Sequence, residues 1–102
     1  MDEKRSVDSM CIGIEKVGET SEAAEYSFVS DVYAADPGRK GRSMVVGQTR
    51  GTLRIIKATG EISLVQPMPE DDGDKRYQRA ATKVRQHWTT GQYPDKTMFA
   101  CG

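Results

Sequence analysis

One stretch of the chain, Asp74 to Thr90, carries an apolar stripe of helical period, and everything before it reads as strand and turn. Tyr77, Ala80, Ala81, Val84 and Trp88 fall at i, i+3, i+4, i+7 and i+11, a narrow band along one side of a helix. Such a band needs a surface to lie on, and a sheet is what the remaining sequence can supply. Ala80 and Ala81 would let the helix axis approach that sheet closely, and Trp88 would bury most of the area at the far end. Asp71, Asp72 and Asp74 stand where carboxylates can accept from the free first-turn N–H groups and favour the positive end of the helix dipole. Gly91 suits the left-handed position after the last turn, and Pro94 bars continuation.

The residues ahead of the helix alternate with the period of strands. Met10, Ile12 and Ile14 interleave with Cys11, Gly13 and Glu15, and the run Gly18 to Glu22 is turn-forming. A second strand, Tyr26 to Tyr33, places Tyr26, Phe28 and Val32 on one face and Ser27, Val29, Asp31 and Tyr33 on the other. Asp36 to Arg42 is a basic, turn-rich loop. Met44–Val46 and Thr52–Lys57 read as two strands around a connection from Gly47 to Gly51. Lys57-Ala58-Thr59-Gly60 then turns into Glu61 to Gln66, with Gly60 free to take the positive φ a tight hairpin needs. Pro67 and Pro69 end the sheet, and Thr97 to Ala100 is a sixth strand candidate beyond the helix. The expected fold is therefore α+β: an antiparallel meander of five to six strands with one C-terminal amphipathic helix packed on one face.

Length and composition set the frame for this. A chain of 102 residues holds one modest core, so residues 10–100 are expected to form a single α+β domain behind a polar, disordered leader at residues 1–9. With 36% hydrophobic and 29% charged residues, and no apolar run of about 18 residues, no membrane span is expected. The first residues lack the apolar core of a secretory signal, which points to the cytoplasm. Two cysteines, Cys11 and Cys101, are too few for a disulfide scaffold or a self-contained zinc site and are expected to be reduced.

Charge is laid out in blocks although the formal total is zero. Residues 1–31 carry eight acids against three bases, 36–57 six bases against one acid, 61–74 five acids alone, and 75–85 five bases alone. Blocks of alternating sign can neutralise one another within a fold or between subunits. The basic helix block forms its own stripe, Arg76, Arg79 and Lys83, continued by Gln86 and His87, without the acids at i+4 that usually support a solvated helix face. Arg39, Lys40 and Arg42 add a second basic group in the loop, where Gly38-Arg39-Lys40-Gly41 has the G-x-x-G form of the loop with which KH domains clamp a nucleic-acid backbone. Strand-like residues flank that loop where a KH domain has helices. These seven residues (Arg39, Lys40, Arg42, Arg76, Arg79, Lys83 and His87) are the candidate contacts for an acidic protein or a nucleic acid.

Catalysis finds little support. The single histidine, His87, lies on the helix flank, and neither cysteine has a helix N-terminus to lower its thiol pKa. The acids around Gly73 lack the spacing and closing glutamate of a calcium loop, and no phosphate-cradling glycine motif is present. No catalytic, cofactor or metal residues are expected.

Lys57-Ala58-Thr59-Gly60-Glu61, the helix segment Arg85-Gln86-His87-Trp88 and Gly91-Gln92-Tyr93-Pro94 resemble small uncharacterised bacterial α+β proteins of the accessory genome. The resemblance spans Met10 to Ala100 and rests on structural motifs: a hairpin turn, a core tryptophan and a helix stop. It implies the fold and carries no activity or site residues. The expected role is a non-enzymatic interaction module that self-associates, most simply as a dimer, because one helix can cover only one face of the sheet. The alternative is a nucleic-acid-binding module using the basic helix face and the Gly-Arg-Lys-Gly loop.

Overall fold

A computed structural model describes residues 12–35, 38, 43–69 and 71–99. Four strands follow one another as an antiparallel meander: β1 (Ile12–Glu19), β2 (Ala23–Ala35), β3 (Ser43–Ile56) and β4 (Ile62–Gln66). A 3-10 turn at Asp72–Asp74 leads into α1 (Lys75–Thr89), and β5 (Lys96–Phe99) closes the order. β5 returns to pair antiparallel with β1, so the sheet order is β4-β3-β2-β1-β5. The expected α+β architecture, with one C-terminal helix over one face, is the architecture observed.

The count of five strands rather than six has a physical cause in β3. The glycines at 47 and 51 read as strand breakers, yet Ser43–Ile56 is continuous and pairs with β2 from Ala35↔Ser43 to Ala23↔Ile56, with one bulge beside Val32. Gly51 sits opposite Phe28, and a Cβ at position 51 would lie 2.4 Å from Phe28 Cζ. The glycine makes room for an aromatic ring laid across the strand, so it is part of the sheet's packing and not a turn. The strand expected at Thr97–Ala100 is β5, the fifth in the sheet.

Alternation along the strands builds the core on the helix side. Ile12 and Ile14 of β1, Ala24, Tyr26 and Phe28 of β2, and Leu53 and Ile55 of β3 are all buried there, together with Met68, Ala80 and Val84. Ala80 fits directly against the sheet, whereas Ala81 is only half-buried and faces the β4 side. Tyr77 packs near Phe28, with ring centroids 6.1 Å apart.

Both helix ends are fastened. Asp71 caps the first turn from a distance: Arg76 N donates to its Oδ1 (2.9 Å) and Tyr77 N to its Oδ2 (3.0 Å). Asp74 takes left-handed angles (φ 55°, ψ 31°), so the helix begins at Lys75. At the far end Gly91 is left-handed (φ 73°); its N–H donates to Trp88 O (2.9 Å) while Gln92 N donates to His87 O (2.9 Å), a Schellman closure. Trp88 is half-buried. Its Nε1 donates to Lys57 O at 2.8 Å, and its ring lies so close over Gly60 that a Cβ there would come within 2.8 Å. Gly60 thus serves both its turn (φ 75°) and the indole above it.

The leader at residues 1–9, Cys11, Cys101 and the loop cations Arg39, Lys40 and Arg42 lie outside the described residues. Among the described residues no helix is long and apolar enough to cross a membrane.

The glycine account is checked by urea denaturation of two alanine variants. Gly51→Ala, forced against Phe28, is expected to lose about 1–3 kcal/mol. Gly13→Ala, whose new methyl meets nothing within 4 Å, should stay within about 0.5 kcal/mol of the parent.

Candidate interaction surface

The geometry of the surface follows from a mismatch of widths. Five strands span roughly 20 Å across the sheet, whereas a helix with its side chains is about 10–12 Å wide. One helix lying along the strands leaves a strip uncovered on each side, and its flanking side chains decide what happens there.

On the β5 side the cover comes from long cations. Arg79 lies with its guanidinium carbon 5.8 Å from the centre of the Phe99 ring, and His87 Nε2 shares a 2.9 Å hydrogen bond with Thr97 Oγ1. Lys83, one turn from each, is half-buried between them on the same flank. The Arg79 side chain covers the Phe99 ring while its charge stays exposed. Arg76 leaves this stripe altogether. It is 6% exposed, with Nη1 4.0 Å from Asp71 Oδ1, at the foot of the helix. Of the four helix residues singled out from sequence, the structure keeps Arg79, Lys83 and His87 together along β5 and turns Arg76 inward. A period in the sequence shows that residues share a flank, but not that a neighbouring strand already occupies it.

On the β4 side the flanking side chains are shorter, and one cation is among those lining the groove. Tyr77, Gln78, Ala81, Thr82, Gln86 and Ile62 line a groove of about 520 Å³ between α1 and the edge strand. Ile62 and Leu64 are only half-buried, and Val65 is 49% exposed. The one cation, Arg85, is drawn down to the hairpin, where Nη2 donates to Gly60 O at 3.0 Å. Among the described residues β4 pairs with β3 alone, and the outer side of its backbone has no strand partner there. The sequence signal for this surface was the uncharged run Ile62 to Gln66 together with Ala81, read there as a core residue.

The sheet face away from the helix carries several cross-strand polar pairs beside exposed Met98 and half-buried Val29. Arg54 donates to Glu25 Oε2 at 2.6 and 3.0 Å, Gln48 Nε2 donates to Asp31 Oδ1 at 3.2 Å, and Lys96 lies 3.9 Å from Glu15. A shallow depression of about 430 Å³ lies over Gly13, between Val29 and Met98. Its charged walls carry both signs: Glu15, Asp31, Arg50 and Lys96.

A third polar group ties the segment after the helix to the sheet. Lys16 Nζ donates to Glu19 Oε1 (2.5 Å) and Tyr93 O (3.0 Å) and lies 3.3 Å from Asp95. Lys57 Nζ donates to Glu19 Oε2 (2.5 Å) and sits 4.8 Å from the Tyr93 ring centre. Hydrogen bonds from Lys16, then Lys57, hold the Glu19 carboxyl down to about 2. The same bond to Glu19 raises Lys16. Burial pushes the nearby Tyr26 phenol up to about 12. Among the described residues no group of three or more histidine, cysteine or acidic side chains is placed to hold a metal ion.

No family model, curated protein or solved structure matches the chain.

The Glu19 cluster predicts an acid response. A carboxyl whose folded value is depressed stabilises the fold fully above its unfolded value of about 4.5, and that stabilisation is lost as pH falls through about 2. In urea denaturation at a series of pH values, Glu19→Gln should be less stable than the parent at neutral pH. The gap should narrow between pH 4.5 and 2; a gap that stays constant would remove Glu19 from this role.

Proposed function

We propose that the chain is a non-enzymatic interaction module whose partner is another copy of itself. The observation that carries this is the strip beside β4: half-buried Ile62 and Leu64, a strand edge unpaired among the described residues, and a groove lined by Tyr77 and Ala81. Apolar surface left open along a sheet edge favours association, and a protein surface is the occupant that could satisfy side chains and backbone together. The opposite face offers less, since Glu25, Asp31 and Glu15 are already engaged across the strands by Arg54, Gln48 and Lys96.

A nucleic-acid-binding role would draw on Arg79, Lys83 and the loop cations Arg39, Lys40 and Arg42. It has less support, because Arg76 is buried, and Arg79 and His87 are engaged with Phe99 and Thr97. A binder of phosphates would be expected to present its cations free for counterion exchange.

Sedimentation equilibrium at high micromolar concentration tests the proposal. The expected mass is twice the chain's 11.3 kDa; a single-chain mass would overturn it. Retention on generic duplex DNA at low salt, abolished by Arg79→Glu with Lys83→Glu, would favour the nucleic-acid reading instead.

A further inference from the structure

Resting on that self-association, we infer that the two copies meet through the β4 flank of α1, about a two-fold axis normal to the sheet, with the two helices on the same side and the neutral middles of these flanks facing. In a two-fold contact residue i meets residue j and j meets i, and only side chains beside the axis approach their own equivalents, so a charge near the axis meets a like charge. A surface that docks on itself is therefore best neutral, whereas one that docks on a charged partner needs the complementary sign.

The chain is 29% charged, and its helix carries five cations between Lys75 and Arg85, yet the middle of the β4 flank is neutral, with Lys75 at its foot and Arg85 beside the hairpin. Gln78, Thr82 and Gln86 rim the groove, Ile62, Tyr77 and Ala81 make its apolar floor, and Ile62 to Gln66 contains no ionisable residue. Arg85, the exception, is held back against Gly60 O. A basic partner would find no acid among the groove's lining residues, and an acidic one would find only Arg85. A second copy finds neutral amides and hydroxyls opposite its own, with apolar side chains beneath.

The register of β4 also limits how far the contact extends. Gln66 pairs with Thr52 and Leu64 with Leu53, so Val65 is an extra residue in the edge strand. Such a bulge interrupts a continuous ladder with a further strand, leaving Ile62 to Leu64 for backbone pairing and placing most of the contact on side chains. The opposite edge, β5, is four residues long and carries exposed Lys96. A lysine on a short edge discourages addition there, so assembly closes at two copies and does not run on head to tail.

The test places like charges on the flank at exposed helix positions, where folding tolerates them. Thr82→Glu with Gln86→Glu, and separately Thr82→Lys with Gln86→Lys, should each keep the parent's circular dichroism, and its denaturation midpoint at concentrations low enough for both to be monomers, but weaken self-association about tenfold or more. Mixing the two charge variants should restore a dimer, now of unlike copies. Met98→Glu, a charge on the other face, should leave the parent's dimer intact. If the parent is a dimer and both charge variants remain dimers alone, or if mixing fails to restore association, this interface is overturned while self-association stands. A parent of single-chain mass overturns both.

Discussion

A single helix is about half as wide as the five-stranded sheet beneath it, and the rest of the molecule is arranged around that shortfall. The centre presents no difficulty: Ala80 and Val84 settle onto Ile12, Ile14, Tyr26, Phe28, Leu53 and Ile55. The flanks differ because their side chains differ in reach. Along β5, Arg79 lies over Phe99 and His87 bonds to Thr97, so two residues of the basic stripe also cover this side of the sheet. Along β4, the short side chain of Ala81 leaves Ile62 and Leu64 half open. Cover on one side and exposure on the other come from one difference in side-chain length.

The helix can be held in this off-balance position because it is fixed at both ends by directional bonds and not by apolar contact alone. Asp71 grips two N–H groups of the first turn. At the other end the indole bonds to Lys57 O over a glycine that any larger residue would displace. Beyond the helix, the chain at Tyr93 to Asp95 is pulled onto the sheet by Lys16, and Glu19 bridges Lys16 to Lys57. Shared hydrogen bonds to a carboxylate are stronger than exposed ion pairs in isolation, and here they join β1, the turn after β3 and the segment leading to β5.

Local features were readable from the sequence, and features set by distant partners were not. The helix limits, the Gly60 turn and the Gly91 stop depend on residues within a few positions, and each appears where its local chemistry places it. The strand alternation was readable too, because Ile12, Ile14, Tyr26 and Phe28 share the buried face. The unity of β3 was hidden: Gly51 signals a break until Phe28, on the neighbouring strand, is known to lie across it. The basic stripe was a partial guide to exposure for a similar reason: Arg79 is exposed, whereas Arg76 is buried. Its periodicity was correct, but Arg76 meets Asp71 through the fold of the 3-10 turn, and Phe99 reaches Arg79 only because β5 returns to the edge of the sheet. The alanine pair was half informative, since Ala80 and Ala81 point to different neighbours.

The return of β5 to β1 also bears on the order in which the molecule can fold. Ile12 pairs with Phe99 and Glu15 with Lys96, so the ladder on that side of β1 joins residues separated by almost the whole described chain. The β1–β2 and β2–β3 hairpins can form from nearby residues, but this ladder must wait until α1 has docked and turned the chain back. Loop-closure entropy rises only slowly with separation, yet it is met before the contact repays it. Refolding is therefore expected to end with β5 zipping onto an otherwise assembled sheet, and during that interval the apolar side chains of β1 have a second open edge beside them.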